Sequence, residues 1–355
     1  MAIRAVDFFC GCGGTSAGFK AAGIEVACGL DNDEDAAASF KLNFPDASFI
    51  LDGIESVRPK DLYGTISRTR DYPLLFSACA PCQPFSKQNQ GRVKKITKGH
   101  TASLLDELHP FINHYLPEYF FLENVPGMQK ISTRTGPFAR FLTLLDKRKY
   151  SVATKVVHSQ DYGVPQRRQR LVLLATRLGD IEIPPPTHGP NTRNKEYSTV
   201  WKWIGNLPPI EAGEEHPTIK HHRARSLSDL NLQRIRATPE GGDRRDWPKK
   251  LLLDCHLTHD GHSDVYGRLS KDKAASALTT KCITLSNGRF GHPIQDRALS
   301  IREAACLQTF PRGFRFHGNL AAMSRQIGNA VPVLMAKVFG KAIVRHYQSC
   351  CKAEV

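Results

Sequence analysis

Cys82 stands between two prolines in Ala80-Pro-Cys-Gln-Pro-Phe-Ser86, directly after the apolar run Leu74–Cys79. Proline fixes φ, so Pro81 and Pro84 stiffen this bend and set where the thiol points. A thiolate is a nucleophile, and cationic neighbours favour it over the thiol. Lys87, Arg92, Lys94, Lys95 and Lys98 follow in a stretch free of acids from Asp71 to Asp106. A second reactive group is Glu123, which Phe120-Phe-Leu-Glu-Asn-Val125 drives into the end of an apolar strand. Burial favours the protonated carboxyl, which suits a proton donor, and it demands a partner. Gln166-Arg-Arg-Gln-Arg170 supplies cations, and strand alternation places Arg168 and Arg170 on one face. Taken alone, these residues suit either acid–base chemistry or an ion pair that ties two strands.

A glycine-rich turn, Asp7-Phe-Phe-Cys-Gly-Cys-Gly-Gly-Thr-Ser-Ala-Gly18, precedes both. Gly11, Gly13 and Gly14 let the backbone bend sharply and approach a ligand without a Cβ clash. The dinucleotide fingerprint is not met, because the sixth position counted from Gly11 is Ser16. Asp31 follows the run Val26–Leu30, where a carboxylate can accept both ribose hydroxyls. The pattern suits a nucleoside ligand that needs no pyrophosphate.

These groups need strands to carry them. Apolar runs at Ala2–Phe9, Val26–Leu30, Leu74–Cys79, Tyr119–Val125, Val152–His158 and Arg170–Thr176 read as strands. Segments 33–43 and 137–148 read as helices, as does the spacing of Leu104, Leu105, Leu108, Phe111, Ile112 and Tyr115. Alternation of this kind implies an α/β fold with a mostly parallel sheet covered on both faces and ligands at the strands' carboxyl ends. After Arg177 the periodicity weakens amid Pro184-Pro185-Pro186, Pro208-Pro209 and Gly241-Gly242. We therefore expect a catalytic, cofactor-binding domain over 1–183, rejoined by 325–355, and a smaller, irregular domain over 184–324. Ser300-Ile-Arg-Glu303 reads as a capping box, and Val331–Tyr347 as a closing amphipathic helix.

Composition narrows the partners. The 355 residues carry 49 Lys+Arg against 34 Asp+Glu, a formal charge of +15, and 41% are hydrophobic. Residues 266–355 alone hold 14 basic and 4 acidic side chains, and such an excess suits a polyanion. The ten cysteines are too scattered for a disulfide framework. Cys79-x-x-Cys82 finds no second pair to complete a zinc site, so no metal is expected. No uninterrupted apolar run of membrane-spanning length and no basic–apolar leader occurs, so a cytoplasmic location is expected.

The Gly-rich turn, Pro81-Cys-Gln83, Glu123-Asn-Val125, Gln166-x-Arg-x-Arg170 and the late Gly328-Asn-Ala-Val-Pro332 occur in an order that resembles the DNA cytosine-5 methyltransferases of prokaryotic type, from Val6 to about Val333. The resemblance implies a Rossmann-like, S-adenosylmethionine-dependent methyltransferase fold with a smaller target-recognition domain. Matching positions give Phe9, Gly11, Cys12, Gly14, Asp31, Asp52, Leu104 and Asn329 to the cofactor. They make Cys82 the nucleophile at cytosine C6, with Glu123 at N3 and the exocyclic amine, Arg170 at O2, and Arg168 beside them. Gln83, Ser86 and Arg92 would meet the flipped nucleotide's strand, Thr280 would border the base-reading surface, and Arg268 and Arg289 would be base readers or phosphate clamps. Asp31 stands where Glu is commoner, Gly53 after Asp52 is unusual, and Cys79-Ala80 and Thr101-Ala102 also depart from the family pattern. The implied partner is duplex DNA at the nucleoid, with a separate cognate restriction endonuclease and a monomeric enzyme. A tRNA-modifying branch of the family carries a Cys-Phe-Thr tripeptide that is absent here. An idle DNA-binding relative would not need the full Cys82, Glu123 and Arg170 set. A nicotinamide dehydrogenase would leave Pro-Cys-Gln and Glu-Asn-Val unused.

Overall fold

The computed structural model describes residues 2–67, 70–80, 104–128, 136–190, 195–254 and 264–353. The chain forms two units. The first comprises Met1–His158, Gln169–Pro185 and Val333–Val355, and the second Ser159–Arg168 and Pro186–Pro332. The expected boundary at 183 moves by two residues to Pro185, and two larger shifts occur. Ser159–Arg168 goes with the second unit because its short strand pairs there, and the return to the first begins at Val333 rather than at 325.

In chain order the elements are β1 (Arg4–Phe8), α1 (Gly14–Lys20), β2 (Glu25–Asp31), α2 (Glu34–Asn43), β3 (Ser48–Leu51), β4 (Leu74–Ala78), α3 (His109–Tyr115), β5 (Tyr119–Asn124), α4 (Pro137–Lys147), β6 (Ser151–His158), β7 (Gln166–Arg167), β8 (Gln169–Thr176), α5 (Val200–Ile204), α6 (Asp229–Arg236), β9 (Ala275–Ser276), α7 (Ile301–Leu307), α8 (Leu320–Asn329) and α9 (Val333–Ala353). The first unit's sheet has the order β3-β2-β1-β4-β5-β8-β6. The strands from β3 to β5 run parallel, and β8 lies antiparallel between β5 and β6.

The central strands are buried on both faces, which explains their nearly continuous apolar sequence. Even-numbered side chains face one way. Phe8 meets Phe76 and Phe111 edge-on at 5.1 and 5.2 Å, and Phe120 meets the Phe141 ring at 5.1 Å. Odd-numbered side chains face α1 and α9, where Phe121 lies 5.5 Å from Phe19 and 5.7 Å from Phe339. A Cβ on Gly18 would lie 2.4 Å from the Ala336 Cβ, so glycine is what lets α1 and α9 approach this closely. Among the described residues, one stretch, Leu320–Lys352, has the length and apolarity of a membrane span. Pro332 separates α8 from α9 within it, and its most apolar part is mostly buried in the protein.

The second unit is irregular, as its turn-rich sequence anticipates. Its sheet is the two-residue pair β7–β9, and its helices are short. Buried polar groups take the place of ladders. Glu303 in α7 accepts a bidentate pair from Arg297 at 2.7 and 2.7 Å, and Ser300 and Glu303 close the expected capping box.

Candidate active site

The strand order reverses between β1 and β4, whose carboxyl ends open a crevice suited to a ligand. The glycine-rich turn leaves β1 there. Phe9 holds φ at +57°, a left-handed conformation a phenylalanine adopts only when its surroundings impose it. Gly11 (+53°) and Gly13 (+94°) continue the bend, and a Cβ on Gly11 would meet nothing within 4 Å. Asp31 ends β2. Its Oδ2 accepts from Gly11 N at 2.8 Å and its Oδ1 from Asp33 N at 3.0 Å, so the turn and the acid are locked together. Burial raises its pKa, and the two amides pull the other way. Each carboxylate oxygen keeps a second lone pair for a ligand hydroxyl. Phe9 and Leu104 are half-buried, Cys12 is fully enclosed, Gly14 opens α1, and the Asp52 carboxylate accepts from Gly53 N just beyond β3. A fixed carboxylate beside an open glycine backbone suits the ribose and amino-acid ends of S-adenosylmethionine.

Across the crevice, β5 ends in Glu123 and Asn124. Glu123 is buried, opposite Val172 on β8, so Arg170 is its diagonal neighbour on the same face. Arg170 Nε stands 2.8 Å from Glu123 Oε1, while Arg170 Nη1 donates to Gln169 O at 2.6 Å. Despite the short separation, the Nε–H is not aligned on Oε1, which has no hydrogen-bond partner among the described residues. The pair thus has charge compensation together with a buried acceptor that no described donor satisfies. Asn124 is the residue that strand reasoning left without a role. Its Nδ2 donates to Ala80 O at 3.1 Å and its Oδ1 accepts from Val125 N at 2.8 Å, which fastens Ala80, just past the end of β4, to the end of β5. Cys82, Gln83, Ser86 and Arg92 lie outside the described residues.

Arg168 departs from the expectation that it shares a strand face with Arg170. β8 begins at Gln169, and Arg168 is buried in the second unit, donating through Nη1 to Leu278 O (2.9 Å) and Gly328 O (3.3 Å). Gln166 and Gln308 complete this fastening, with Gln166 Nε2 on Gln308 Oε1 at 3.0 Å and Gln308 Nε2 on Ile327 O at 2.7 Å. Exposed Thr280 and Asn329 flank the closest approach, where a Cβ on Gly328 would lie 2.2 Å from Thr279.

The expectation that Arg268 and Arg289 read bases meets an obstacle in their geometry. Arg268 is 5% exposed and donates to Thr238 O, Ile235 O, His292 O, Gln295 O and the Asp296 carboxylate. Arg289 serves the carbonyls of Gly241, Gly242 and Arg268 and the carboxylates of Asp243 and Asp264. Loops without ladders leave carbonyls to be satisfied, and arginine satisfies several at once. We assign both a structural role. No cluster of three metal-ligating side chains occurs among the described residues.

A doubly wound sheet with a nucleoside-type cradle at its reversal point and a buried Glu–Arg pair beside it defines a nucleoside-cofactor-dependent enzyme. The family model of C-5 cytosine-specific DNA methylases matches residues 3–345. The chain is 41% identical over 351 residues to the Type II methylase M.HgiDII of Herpetosiphon aurantiacus, covering 97% of this chain and 96% of that one. It is 30% identical to the Type II methyltransferase M1.HphI of Haemophilus parahaemolyticus, covering 97% and 87%. In fold it is similar to an E. coli prophage-encoded chain described as a DNA modification methyltransferase (TM-score 0.68, 22% identity, 98% and 100% covered). It is also similar to the Entamoeba histolytica methyltransferase EhMeth (TM-score 0.62, 16% identity, 97% and 99% covered). The chain belongs to the C-5 cytosine-specific DNA methylase family and is a DNA cytosine-5 methyltransferase with the S-adenosylmethionine-dependent α/β fold.

Proposed function

We propose that the enzyme methylates C5 of a cytosine flipped out of a specific duplex sequence, with Cys82 as a transient covalent nucleophile. The observation that carries this reading is Glu123, buried against Arg170 with an unaligned Oε1, on the strand end that Asn124 fastens to Ala80, two residues before Cys82 in the sequence. Phe9, Gly11, Cys12, Gly14, Asp31, Asp52, Leu104 and Asn329 would hold S-adenosylmethionine, which supplies an electrophilic methyl group when bound.

The chain's own groups perform the rest. Cytosine C5 is a weak nucleophile until a group adds at C6. The Cys82 thiolate forms the S–C6 bond, and the ring electrons it displaces make C5 nucleophilic. Glu123 hydrogen-bonds N3 and the exocyclic amine and offsets the charge that develops there, while Arg170 holds O2. Once C5 is alkylated, solvent removes its proton and the S–C6 bond breaks, returning the thiolate and the aromatic ring. Such chemistry cannot reach a stacked base, hence the flip. Gln83, Ser86 and Arg92 would grip the extruded nucleotide's strand, and the second unit, including Thr280, would select the sequence. Arg168 is left in a positioning role. The biological setting we propose is a monomeric modification enzyme at the nucleoid, paired with a separate restriction endonuclease.

Incubation with methyl-labelled S-adenosylmethionine and either duplex DNA or tRNA tests the reading. We expect label in DNA, none in tRNA, and none in either with Cys82→Ser, which should still bind duplex. Near-wild-type transfer by Cys82→Ser would overturn the nucleophile, and label in tRNA alone would overturn the substrate.

A further inference from the structure

Asp7 is a carboxylate, 1% exposed, on the buried sheet face that also carries Ala5, Leu75, Ser77 and Phe121 and, at the end of β5, Glu123. No ion pair to a Lys, Arg or His reaches it among the described residues; its oxygens are held by hydroxyls. Ser16 Oγ, in the first turn of α1, donates to Oδ2 at 2.6 Å, and Ser77 Oγ, directly across on β4, donates to Oδ1. Both serines are fully buried. A parallel tie joins Thr15 Oγ1 to Cys79 Sγ at 3.6 Å. Burial pushes the Asp7 carboxyl up to about 6 against the pull of the two hydroxyls, with the Asp31 charge adding to the rise. Cys10, Cys28 and Cys79 are the other titratable groups that feel its charge. A carboxylate in this setting costs stability, and an apolar side chain of similar size would serve the core at least as well.

We propose that Asp7 is a positioning residue that holds the cofactor turn in register with the strand leading to the nucleophile. The claim rests on the methyl-transfer reading above. The bonded path is continuous within the first unit: Asp31 to Gly11, through the turn to Ser16, Asp7 and Ser77, along β4 to Ala80, and by Asn124 to Glu123. It spans the point where the strand order reverses, the one place where no single strand carries both halves of the site. Misalignment there changes the distance across which the methyl group must move while leaving each half of the site intact.

Asp7→Asn keeps the shape and replaces one acceptor with a donor; Ser16→Ala and Ser77→Ala remove one arm each. Three readouts separate the outcomes in full-length enzyme: affinity for S-adenosylmethionine, exchange of the cytosine C5 hydrogen with solvent (which reports thiol addition without methyl transfer), and single-turnover methyl transfer. We expect transfer by Asp7→Asn to fall about 10- to 100-fold, the scale of a roughly 1 Å misplacement, with binding and exchange within about threefold. Adding Ser16→Ala to Asp7→Asn should cost less than about twofold more, because one interaction is removed twice. Equal loss of all three readouts with a lowered Tm would mean a merely structural aspartate and overturn the proposal, as would unchanged transfer in every variant. Wild-type enzyme that neither binds S-adenosylmethionine nor exchanges C5 hydrogen would instead overturn the reading beneath it.

Discussion

Glu123 shows how one side chain can be charge-compensated and still lack a hydrogen bond. Its charge is compensated by Arg170 Nε at 2.8 Å, yet Oε1 has no aligned donor among the described residues. Glu123→Gln keeps the size and removes the transferable proton that would meet N3 of the cytosine ring. Single-turnover transfer should fall by about 100-fold or more, within the range of positioned acid–base groups, with duplex affinity nearly unchanged in a gel-shift titration. An unaltered rate would remove Glu123 from the mechanism. Arg168 and Arg268 teach the opposite lesson. Both are arginines in suggestive sequence contexts, and both spend their donors on backbone carbonyls. Residue type and spacing could not reveal this, because the acceptors come from segments distant in sequence.

At the scale of elements, the second unit depends on the buried set of Arg297, Glu303, His292 and His222. Burial would raise the Glu303 carboxyl, but the Arg297 pair outweighs it and leaves the pKa at about 2, against 4.5 for a free group. His292 is pushed down to about 4 from 6.5, mainly by burial, and its Nδ1 accepts from Gln295 N at 3.0 Å, which requires the neutral ring. Below pH 6.5 the unfolded chain therefore takes up the His292 proton before the folded one, so stability falls from there to about pH 4. The Glu303 contribution, complete above 4.5, is lost as the pH falls toward 2. Hydrogen exchange across pH should show second-unit amides losing protection first, and His292→Gln should shrink the upper step to the part that His221 and His222, also pushed down by burial, contribute; protection independent of pH between 4 and 6.5 would contradict this assignment. Most strands and helices of the first unit were legible to within a residue or two, because full burial writes an apolar run and amphipathic helices a period. Two ends differ: α3 begins five residues later than the Leu104 spacing suggests, and α9 runs six residues past Tyr347. The antiparallel placement of β8, the edge strand β3, and helices α6 and α8 were not. Pairing direction has no local signature, β3 is short and half-exposed, and α6 and α8 sit in a unit held by polar networks. The glycine turn, Asp31, Glu123 and Arg170 could be read from the sequence; Asp7, Ser16, Ser77 and Asn124 could not, since their partners meet only across the folded sheet.

For the whole molecule, the +15 charge points to a polyanion, but its distribution is less simple than the sequence count. Of the basic residues beyond 266, Arg268, Arg297 and Arg302 are buried, and Arg289 is mostly enclosed by carbonyls and carboxylates. Lys281, Arg312, Arg315 and Arg325 remain exposed. Duplex affinity should still fall about 1,000-fold or more between roughly 50 and 200 mM salt, as counterion release requires when several phosphates are contacted. An affinity flat across that range would argue against a phosphate-dominated interface.

The most direct measurement uses a duplex whose target cytosine carries fluorine at C5, so that the final proton loss cannot occur. With S-adenosylmethionine present, the enzyme should become bound to this DNA through a denaturation-resistant bond, and peptide mapping should locate it at Cys82. Recovery of free enzyme under conditions where the unsubstituted duplex is methylated, or a bond at any other residue, would contradict the account.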